Sequence, residues 1–189
     1  MNETPTVGDI ETRLQLHVAW LEERAGGERL VMRKADLRNV DFSGTILHMA
    51  DFSGADLRGA RMPGSFLRTI NLTGAKLDGA NLHHSDLDFA HLAGASLIDC
   101  DLRYASLRSA YLSRSDLRDA RLAHADLSGA TLTHADLQGA SLHSALLVGT
   151  YFRQALLLAT DFSESHPEEA CLFGASLNGS IGISPSLRA

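Results

Sequence analysis

A five-residue repeat runs through residues 35–178 without a change of phase, and this period constrains the fold more than any other feature. Every fifth residue from Leu37 to Leu177 is large and apolar. This gives 29 positions occupied by Leu, Phe or Met, with Pro167 as the exception. We call this residue the central residue of its repeat. A small residue, usually Ala, precedes it by two positions. A fixed internal period of this kind predicts a solenoid of stacked repeats.

The pattern within one repeat predicts a short extended edge followed by a corner. Side chains alternate along a strand, so the small and central residues share the inner side while the residue between them points outward. The two residues after the central residue are mostly polar, so the chain must turn there. Every glycine from Gly44 to Gly179 occupies the second of these positions, where a turn needs positive φ. Pro63 and Gly64 on the two corner positions are the signature of a type II turn.

The repeats resemble those of the pentapeptide-repeat family, as in Ala-Asp-Leu-Ser-Gly followed by Ala-Thr-Leu-Thr-His from Ala125 onward. The resemblance implies an all-β solenoid, a right-handed quadrilateral β-helix with four repeats to a coil. The 29 repeats then give about seven coils. The period alone shows only an inward pair and an outward triplet of residues. An amphipathic helix is the alternative, but a period of five fits neither 3.6 nor 2.

The residues before the repeats predict a capping helix over about residues 9–25, with Asp9 as its N-cap and Gly26 and Gly27 ending it. The open end of a solenoid exposes apolar side chains and unpaired strand edges, so it needs a cover. We expect this helix to pack on the first coil near Met32 and Leu37. The residues assigned to the cap are Ile10, Leu14, Trp20 and Leu21.

Length and composition suit one domain, divided into an N-terminal segment of residues 1–29, a β-helix of residues 30–179 and a tail of residues 180–189. No apolar run approaches the ~18 residues of a membrane span. Residues 1–8 lack the basic start and apolar core of a secretion signal. We therefore expect a cytoplasmic protein with no membrane contact, bacterial by the resemblance. A host-injected effector is the alternative that the family also contains.

Two residue types interrupt the regular repeat locally. Cys100 occupies a small inward position and Cys171 an outward one, too far apart for a disulfide, so both are expected to be free thiols. Pro167 replaces a central residue and lacks both an N–H group and a long apolar side chain, which predicts a local irregularity.

With four repeats to a coil, residues twenty apart stack in columns on four faces. We number the faces in chain order, the first being the face that carries Asp36 and Arg38. Acidic and basic residues alternate along it, which predicts a solvated face that neutralises its own charge. A protein that mimics the charge of DNA needs a dense negative surface. The alternating charges of this face and a net charge of only −6 both argue against such mimicry.

The second face carries a column of ring side chains, His84, Tyr104 and His124, with His83 and His143 beside it. We interpret the column as a stacked polar ladder that could respond to pH. A zinc site is the alternative, but only His83 and His84 lie close enough to bind one ion together. We therefore expect no metal site.

Outward positions become apolar near the C-terminal end, and we assigned this C-terminal patch to the third and fourth faces. An exposed apolar patch marks an interaction surface. Its occupant is left open between a second copy of the chain, the tail at residues 181–183 and a foreign partner. The patch comprises Leu146, Val148, Tyr151, Leu156, Leu158 and Phe173. A smaller N-terminal patch on the third face comprises Ile46, Met49, Phe66 and Phe89.

No arrangement in the sequence indicates catalysis. Ser, His and Asp residues point outward from a convex rod that has no cleft to exclude water, and the glycines follow the five-residue phase rather than a phosphate-binding loop. No basic stripe with aromatic residues indicates nucleic-acid binding. The sequence therefore predicts a non-enzymatic protein-interaction module without catalytic or cofactor sites. By the resemblance it is a homodimer through its C-terminal coils. The alternative that the family implies is a DNA-mimicking regulator of DNA gyrase.

Overall fold

The computed structural model describes residues 7–184 and residue 187. Helix α1, Val7–Leu21, precedes a solenoid whose walls consist of single parallel β-bridges. Each bridge joins a residue to the one twenty positions later, from Val31 with Asp51 to Asp161 with Ile181. Because a corner follows every fifth residue, twenty residues complete one coil with four edges. The chain therefore forms a four-sided β-helix, as the family resemblance implies.

Backbone hydrogen bonds connect each edge to the coils on both sides. The N–H of Leu107 donates to the carbonyl of Asp126 in the next coil at 2.7 Å. The N–H of Asp126 donates in turn to the carbonyl of Ala105 in the preceding coil at 3.0 Å. The outward residue of each repeat thus accepts and donates across the wall, which leaves its side chain free to form the outer surface.

The interior is a column of buried central residues with the small residues beside it. Leu87, Leu107 and Leu127 lie one coil apart and are fully buried, as the predicted stacking requires. Hydroxyl groups at the small position are satisfied by backbone carbonyls, as where Ser85 Oγ donates to Leu82 at 2.7 Å. Cys100 is buried at the same kind of position, and burial raises the pKa of its thiol.

The corners have the predicted backbone conformation whether or not they hold glycine. An N–H to carbonyl bond closes each corner, as between Ala105 and Leu102 at 3.1 Å. The second corner residue has positive φ, 64° at Gly44 but also 60° at Met49 and 59° at Tyr104. Positive φ at this position is what a type II turn needs. Tertiary pairing on both sides therefore holds many non-glycine residues in the left-handed region.

Helix α1 begins and ends earlier than the predicted residues 9–25. It starts at Val7, so Asp9 lies in its first turn rather than at its N-cap. It ends at Leu21 because Glu23 takes a positive φ of 54° and the N–H of Arg24 donates to the carbonyl of Ala19 at 2.8 Å. This is a Schellman motif formed without glycine.

Gly26 and Gly27, predicted to end α1, lie in the segment that follows it. The segment passes so close to α1 that a Cβ on Gly27 would lie 2.3 Å from the backbone nitrogen of Trp20. Gly27 therefore permits the close approach of two backbone segments rather than a helix end.

The inner side of α1 covers the first coil. Ile10 is buried in the core of the solenoid and Leu14 packs partly buried against it. His17 is fully buried, and its Nδ1 accepts a hydrogen bond from the Leu30 N–H at 3.1 Å. The Trp20 ring stacks on His17 with centroids 5.7 Å apart. Leu21 is half-buried at the last residue of α1.

The ladder is irregular at Pro167, as the sequence predicts. The irregular repeat contains a short 3₁₀ helix, Pro167–Glu169, with the Pro167 ring buried at the central position. Within residues 7–184, bridges join Leu146 to Asp126 but not to His166. The third face therefore loses its regular pairing one coil above Leu146.

The described part of the tail continues the coil and does not fold back. The N–H of Ile181 donates to Thr160 at 3.1 Å, and Ile183 is 8% exposed in the core. Leu187 also packs against this end of the core. Among the described residues no helix is long and apolar enough to span a membrane.

Candidate interaction surfaces

The first face neutralises its own charge, as predicted. The guanidinium of Arg38 donates two hydrogen bonds to the Asp36 carboxylate. It also lies 3.9 Å from the Asp56 carboxylate in the next coil. The hydrogen bonds from Arg38 lower the pKa of the Asp36 carboxyl to about 2. Arg118 repeats this arrangement with Asp116 at 2.7 Å. Guanidinium groups therefore pair with the Asp36, Asp56 and Asp116 carboxylates and interrupt the negative surface of this face.

The second face carries the predicted ladder of rings. The His84 and Tyr104 centroids are 4.9 Å apart, and those of Tyr104 and His124 are 4.7 Å apart, with nearly parallel planes. His83 meets His84 edge to face at 4.3 Å. His143 meets His124 in the same way at 5.7 Å. Within residues 7–184 and 187, no group of three or more His, Cys, Asp or Glu side chains converges to hold a metal ion.

The C-terminal patch lies on three faces, which corrects its assignment to the third and fourth. Leu156 forms a bridge with Asp136, so Leu156 and the half-buried Leu158 belong to the charged first face. Leu146 and Val148 are on the third face, with 56% and 55% of their surface exposed. Tyr151 belongs to the fourth face. No single flat partner can cover all three parts of the patch.

The described part of the tail leaves this patch open. Residues 181–183 continue the coil on the second face, away from Leu146 and Val148. On the fourth face, Phe173 is 69% exposed and the guanidinium of Arg153 lies 5.3 Å from its ring centroid. Cys171 has a free, exposed thiol, and its backbone forms a β-bridge with that of Tyr151. Tail cover, one of the three predicted occupants, is thus not seen in the described residues.

The N-terminal patch lies on the third face next to α1. Ile46, Met49, Phe66 and Phe89 are between 40% and 50% exposed. A groove separates the patch from α1, and its lining includes Leu14, Val18 and Ile46. The guanidinium of Arg68 lies 5.6 Å from the centroid of the Phe89 ring at one side of this patch.

Charged residues lie between Ile46 at one end of the third face and Leu146 and Val148 at the other. Arg68 lies 3.9 Å from Asp86 and 3.6 Å from Asp88 in the next coil. Arg108 lies 3.8 Å from Asp126. Asp88 is nearly buried, and its carboxylate accepts hydrogen bonds from the Ser106 hydroxyl and the Arg108 N–H. The third face is therefore apolar at its first edge, with Ile46, and at its last edge, with Leu146 and Val148. The edges between them carry charged side chains.

At the junction between α1 and the third face, Nε2 of His17 and Nδ1 of His48 are buried and have no hydrogen-bond partner among the described residues. Burial is the main cause that lowers the pKa of both rings. The sequence analysis did not identify His48, because it stands at a corner position that is usually solvent-exposed. Only the packing of α1 on the first coil brings His48 near His17.

Comparison with known proteins identifies the family. The profile of pentapeptide repeats matches eight copies over residues 35–74, 50–88, 80–119, 115–154 and 135–179. The chain belongs to the pentapeptide-repeat family. No curated protein matches the chain.

Solved structures of pentapeptide-repeat proteins are similar to this chain over much of its length. HetL, involved in heterocyst differentiation regulation in the cyanobacterium Nostoc, is 26% identical over 93% of this chain and 94% of its own, with a TM-score of 0.27. A thylakoid-lumen protein of Arabidopsis thaliana is 31% identical over 63% and 69%, with a TM-score of 0.35. QnrB1, a plasmid-mediated fluoroquinolone resistance protein, is 21% identical over 81% and 83%, with a TM-score of 0.36.

Proposed function

We propose that this pentapeptide-repeat protein is a non-enzymatic protein-interaction module of the bacterial cytoplasm. It is a right-handed rod of about seven coils that dimerises through apolar residues of its C-terminal coils. The observation that carries the proposal is the exposure of Leu146, Val148, Tyr151 and Phe173, each more than half exposed on a rigid wall. Exposed apolar residues in this density are typical of interaction surfaces.

The division of the patch over three faces supports more than one contact. The third-face part, Leu146 and Val148, adjoins a charged column, while the fourth-face part combines Tyr151 and Phe173 with the Arg153 guanidinium. Aromatic and arginine side chains are enriched where proteins bind one another. We assign the third-face part to a second copy of the chain and the fourth-face part to a foreign protein partner.

Light scattering over a range of concentrations tests dimerisation. Leu146→Asp places a carboxylate in the third-face part of the patch and should convert the dimer to a folded monomer. Val31→Asp is a matched control, because Val31 is also exposed, at 42%, but lies far from the patch. A wild-type chain that stays monomeric at high concentration would remove the dimer. Capture of a native partner by wild type and not by Phe173→Asp tests the second contact.

The gyrase alternative is less well supported by the surface. Arginines pair with the carboxylates of the first face, and the similarity to QnrB1 is a similarity of fold at 21% identity. A DNA supercoiling assay with titrated protein tests this function directly. Inhibition or quinolone protection at micromolar concentration would favour the alternative over the interaction module.

A further inference from the structure

We propose that two copies of the chain pair side by side and antiparallel along the third face. Ile46 and Met49, the end of the N-terminal patch nearest α1, then meet Leu146, Val148 and Gly149 of the other copy. This inference rests on the dimerisation proposed above and names its geometry, which joins opposite ends of two rods rather than their two C-terminal coils. The argument comes from the order of charges and of side-chain sizes along this face.

Six successive edges of the third face, twenty residues apart, each place two side chains on the outer wall, of which Asp88 is nearly buried. With histidine neutral, their formal charges from the N-terminal to the C-terminal edge are 0, +1, −2, +1, −1 and 0. The pairs in the same order are Ile46 with His48, Phe66 with Arg68, Asp86 with Asp88, Ser106 with Arg108, Asp126 with Ser128, and Leu146 with Val148.

A two-fold axis between the third and fourth edges, perpendicular to the rods, pairs opposite charges throughout. The acidic edge of Asp86 then faces the edge of Arg108, and the edge of Arg68 faces that of Asp126. The uncharged first and sixth edges face each other, so that Ile46 meets the partner's Val148 and Leu146. Complementary charges of this kind fix the register of an interface, because like charges brought together are costly.

Other arrangements of the same face bring like charges together. A parallel pair places every edge against its own copy, so the doubly negative edge of Asp86 and Asp88 faces itself. A shift of the antiparallel register by one edge places either that edge or the edge of Arg108 against itself. A shift by two edges leaves one apolar patch uncovered. The antiparallel register centred between Asp86 and Ser106 thus pairs all six edges favourably.

Side-chain size supports the same register. At the second corner position beside these edges, the two large residues, Met49 and Phe89, both lie in the N-terminal half, whereas the C-terminal half holds only Ser109, Gly129 and Gly149. In the proposed pair, Met49 faces the partner's Gly149 and Phe89 faces the partner's Ser109. A Cβ on Gly149 would meet nothing within 4 Å, so there is open space for a methionine side chain. The groove between α1 and Ile46 is open to receive the partner's Leu146.

The contact is narrow, so the dimer should depend on concentration. The first and sixth edges are five coil spacings apart, about 24 Å at ~4.8 Å per coil, and an edge is roughly 10 Å wide. A contact of this size is smaller than the interfaces of stable complexes, so association through it is weak or transient. We therefore expect association that is measurable at micromolar to millimolar concentration rather than a permanent dimer.

Charge reversal at facing positions tests the geometry by sedimentation velocity on the full chain. Arg68→Asp alone places like charges against Asp126 of the partner, and Asp126→Lys alone places like charges against Arg68. Each variant should associate at least tenfold more weakly than wild type. A mixture of the two should associate as strongly as wild type. In the mixed pair, positions 68 and 126 are both acidic in one copy and both basic in the other, so opposite charges face each other again.

Arg121→Asp is the matched control, since Arg121 is similarly exposed on the second face and makes a similarly loose ion pair, 3.7 Å from Asp101. It should associate like wild type. Circular dichroism verifies folding, and if either variant does not fold, the facing pair Arg108→Asp and Asp86→Lys replaces both. The inference is overturned if single reversals associate normally or if the mixture stays monomeric.

These outcomes are separable from failure of the proposed function. If the Arg68 and Asp126 variants dimerise normally while Leu146→Asp is monomeric, the C-terminal patch forms the dimer in another geometry and only this inference falls. If wild type is monomeric at every concentration, both the dimer and this inference fall, and the capture of a foreign partner through Phe173 decides the remaining proposal.

Discussion

The two ends of the solenoid are built from the same repeat but are covered differently. At the N-terminal end, Leu30 and Met32 are 2% and 3% exposed because α1 lies over the first coil. At the other end, the central residues Leu172 and Leu177 are only half-buried, although Ile183 packs beside them. Position in the repeat therefore decides which way a side chain points, while the cover decides how far it is removed from water.

This difference teaches where stability and binding reside in the rod. A coil with neighbours on both sides gains apolar burial from each of them, whereas a terminal coil gains it from one side only. The better-covered N-terminal end should therefore contribute more to the free energy of unfolding. The C-terminal coils, with their half-buried central residues and exposed apolar patch, are the part of the molecule that a partner can stabilise.

The largest change in the free energy of unfolding is expected when a central residue is shortened in the middle of the rod, and a smaller one when it is shortened at the uncovered C-terminal end. Leu107→Ala removes a fully buried side chain and should lower the free energy of unfolding by about 3 kcal/mol. Leu177→Ala, at a half-buried position, should cost about 1 kcal/mol. Urea denaturation of both variants measures the difference. Equal costs would show that the last coil is as well covered as the middle.

A smaller effect is expected at the glycine that brings the chain against α1. Gly27→Ala places a Cβ 2.3 Å from the Trp20 nitrogen, so α1 must shift, at an expected cost of about 2 kcal/mol. Gly26→Ala is the control, because it has positive φ but open space, and should cost about 1 kcal/mol. Thermal denaturation compares them. A larger loss for Gly26 than for Gly27 would mean that the close approach does not hold α1 in place.

The smallest effect is expected from pH at the junction of α1. Burial lowers the pKa of His17 and of His48, so the unfolded chain binds protons more readily than the folded one. The stability that these rings contribute is complete above about pH 6.5 and declines as pH falls toward the folded pKa. The decline cannot exceed about 1.4 kcal/mol per pH unit for each ring.

Amide-exchange protection factors at about pH 7.5 and 5.5 measure this dependence. Protection of α1 should fall more than that of the last coil, and His17→Gln should remove much of the difference. His134→Gln, at an exposed position on the fourth face, should leave it unchanged. Equal loss of protection at both ends, or an unchanged response in His17→Gln, would contradict the role of the junction.

The repeat made most of the fold predictable because one period determines both burial and turning. The inward pair, the corners and the irregularity at Pro167 follow from positions counted along the chain. The same counting places Leu156 above Asp136 on the first face, and our assignment of Leu156 and Leu158 to other faces was wrong because the twenty-residue register was not applied to them.

Features that arise from packing between segments were less predictable. The end of α1 at Leu21 depends on Glu23 adopting positive φ, a conformation that sequence assigns to the glycines nearby. The burial of His17 and the proximity of His48 to it arise only when α1 lies on the first coil. The charge order of the third face was present in the sequence, but its meaning depends on knowing that six edges stack in one plane.

The twenty-residue register has a consequence for how such a rod can change length. Insertion of a single pentapeptide in the middle would leave the interior intact but rotate everything beyond it by a quarter turn. Leu146 and Val148 would then leave the side that holds Ile46, while insertion of a whole coil would only separate them further. Evolution can therefore lengthen this molecule in steps of four repeats at little cost to its surfaces, whereas a step of one repeat would redistribute every binding residue downstream.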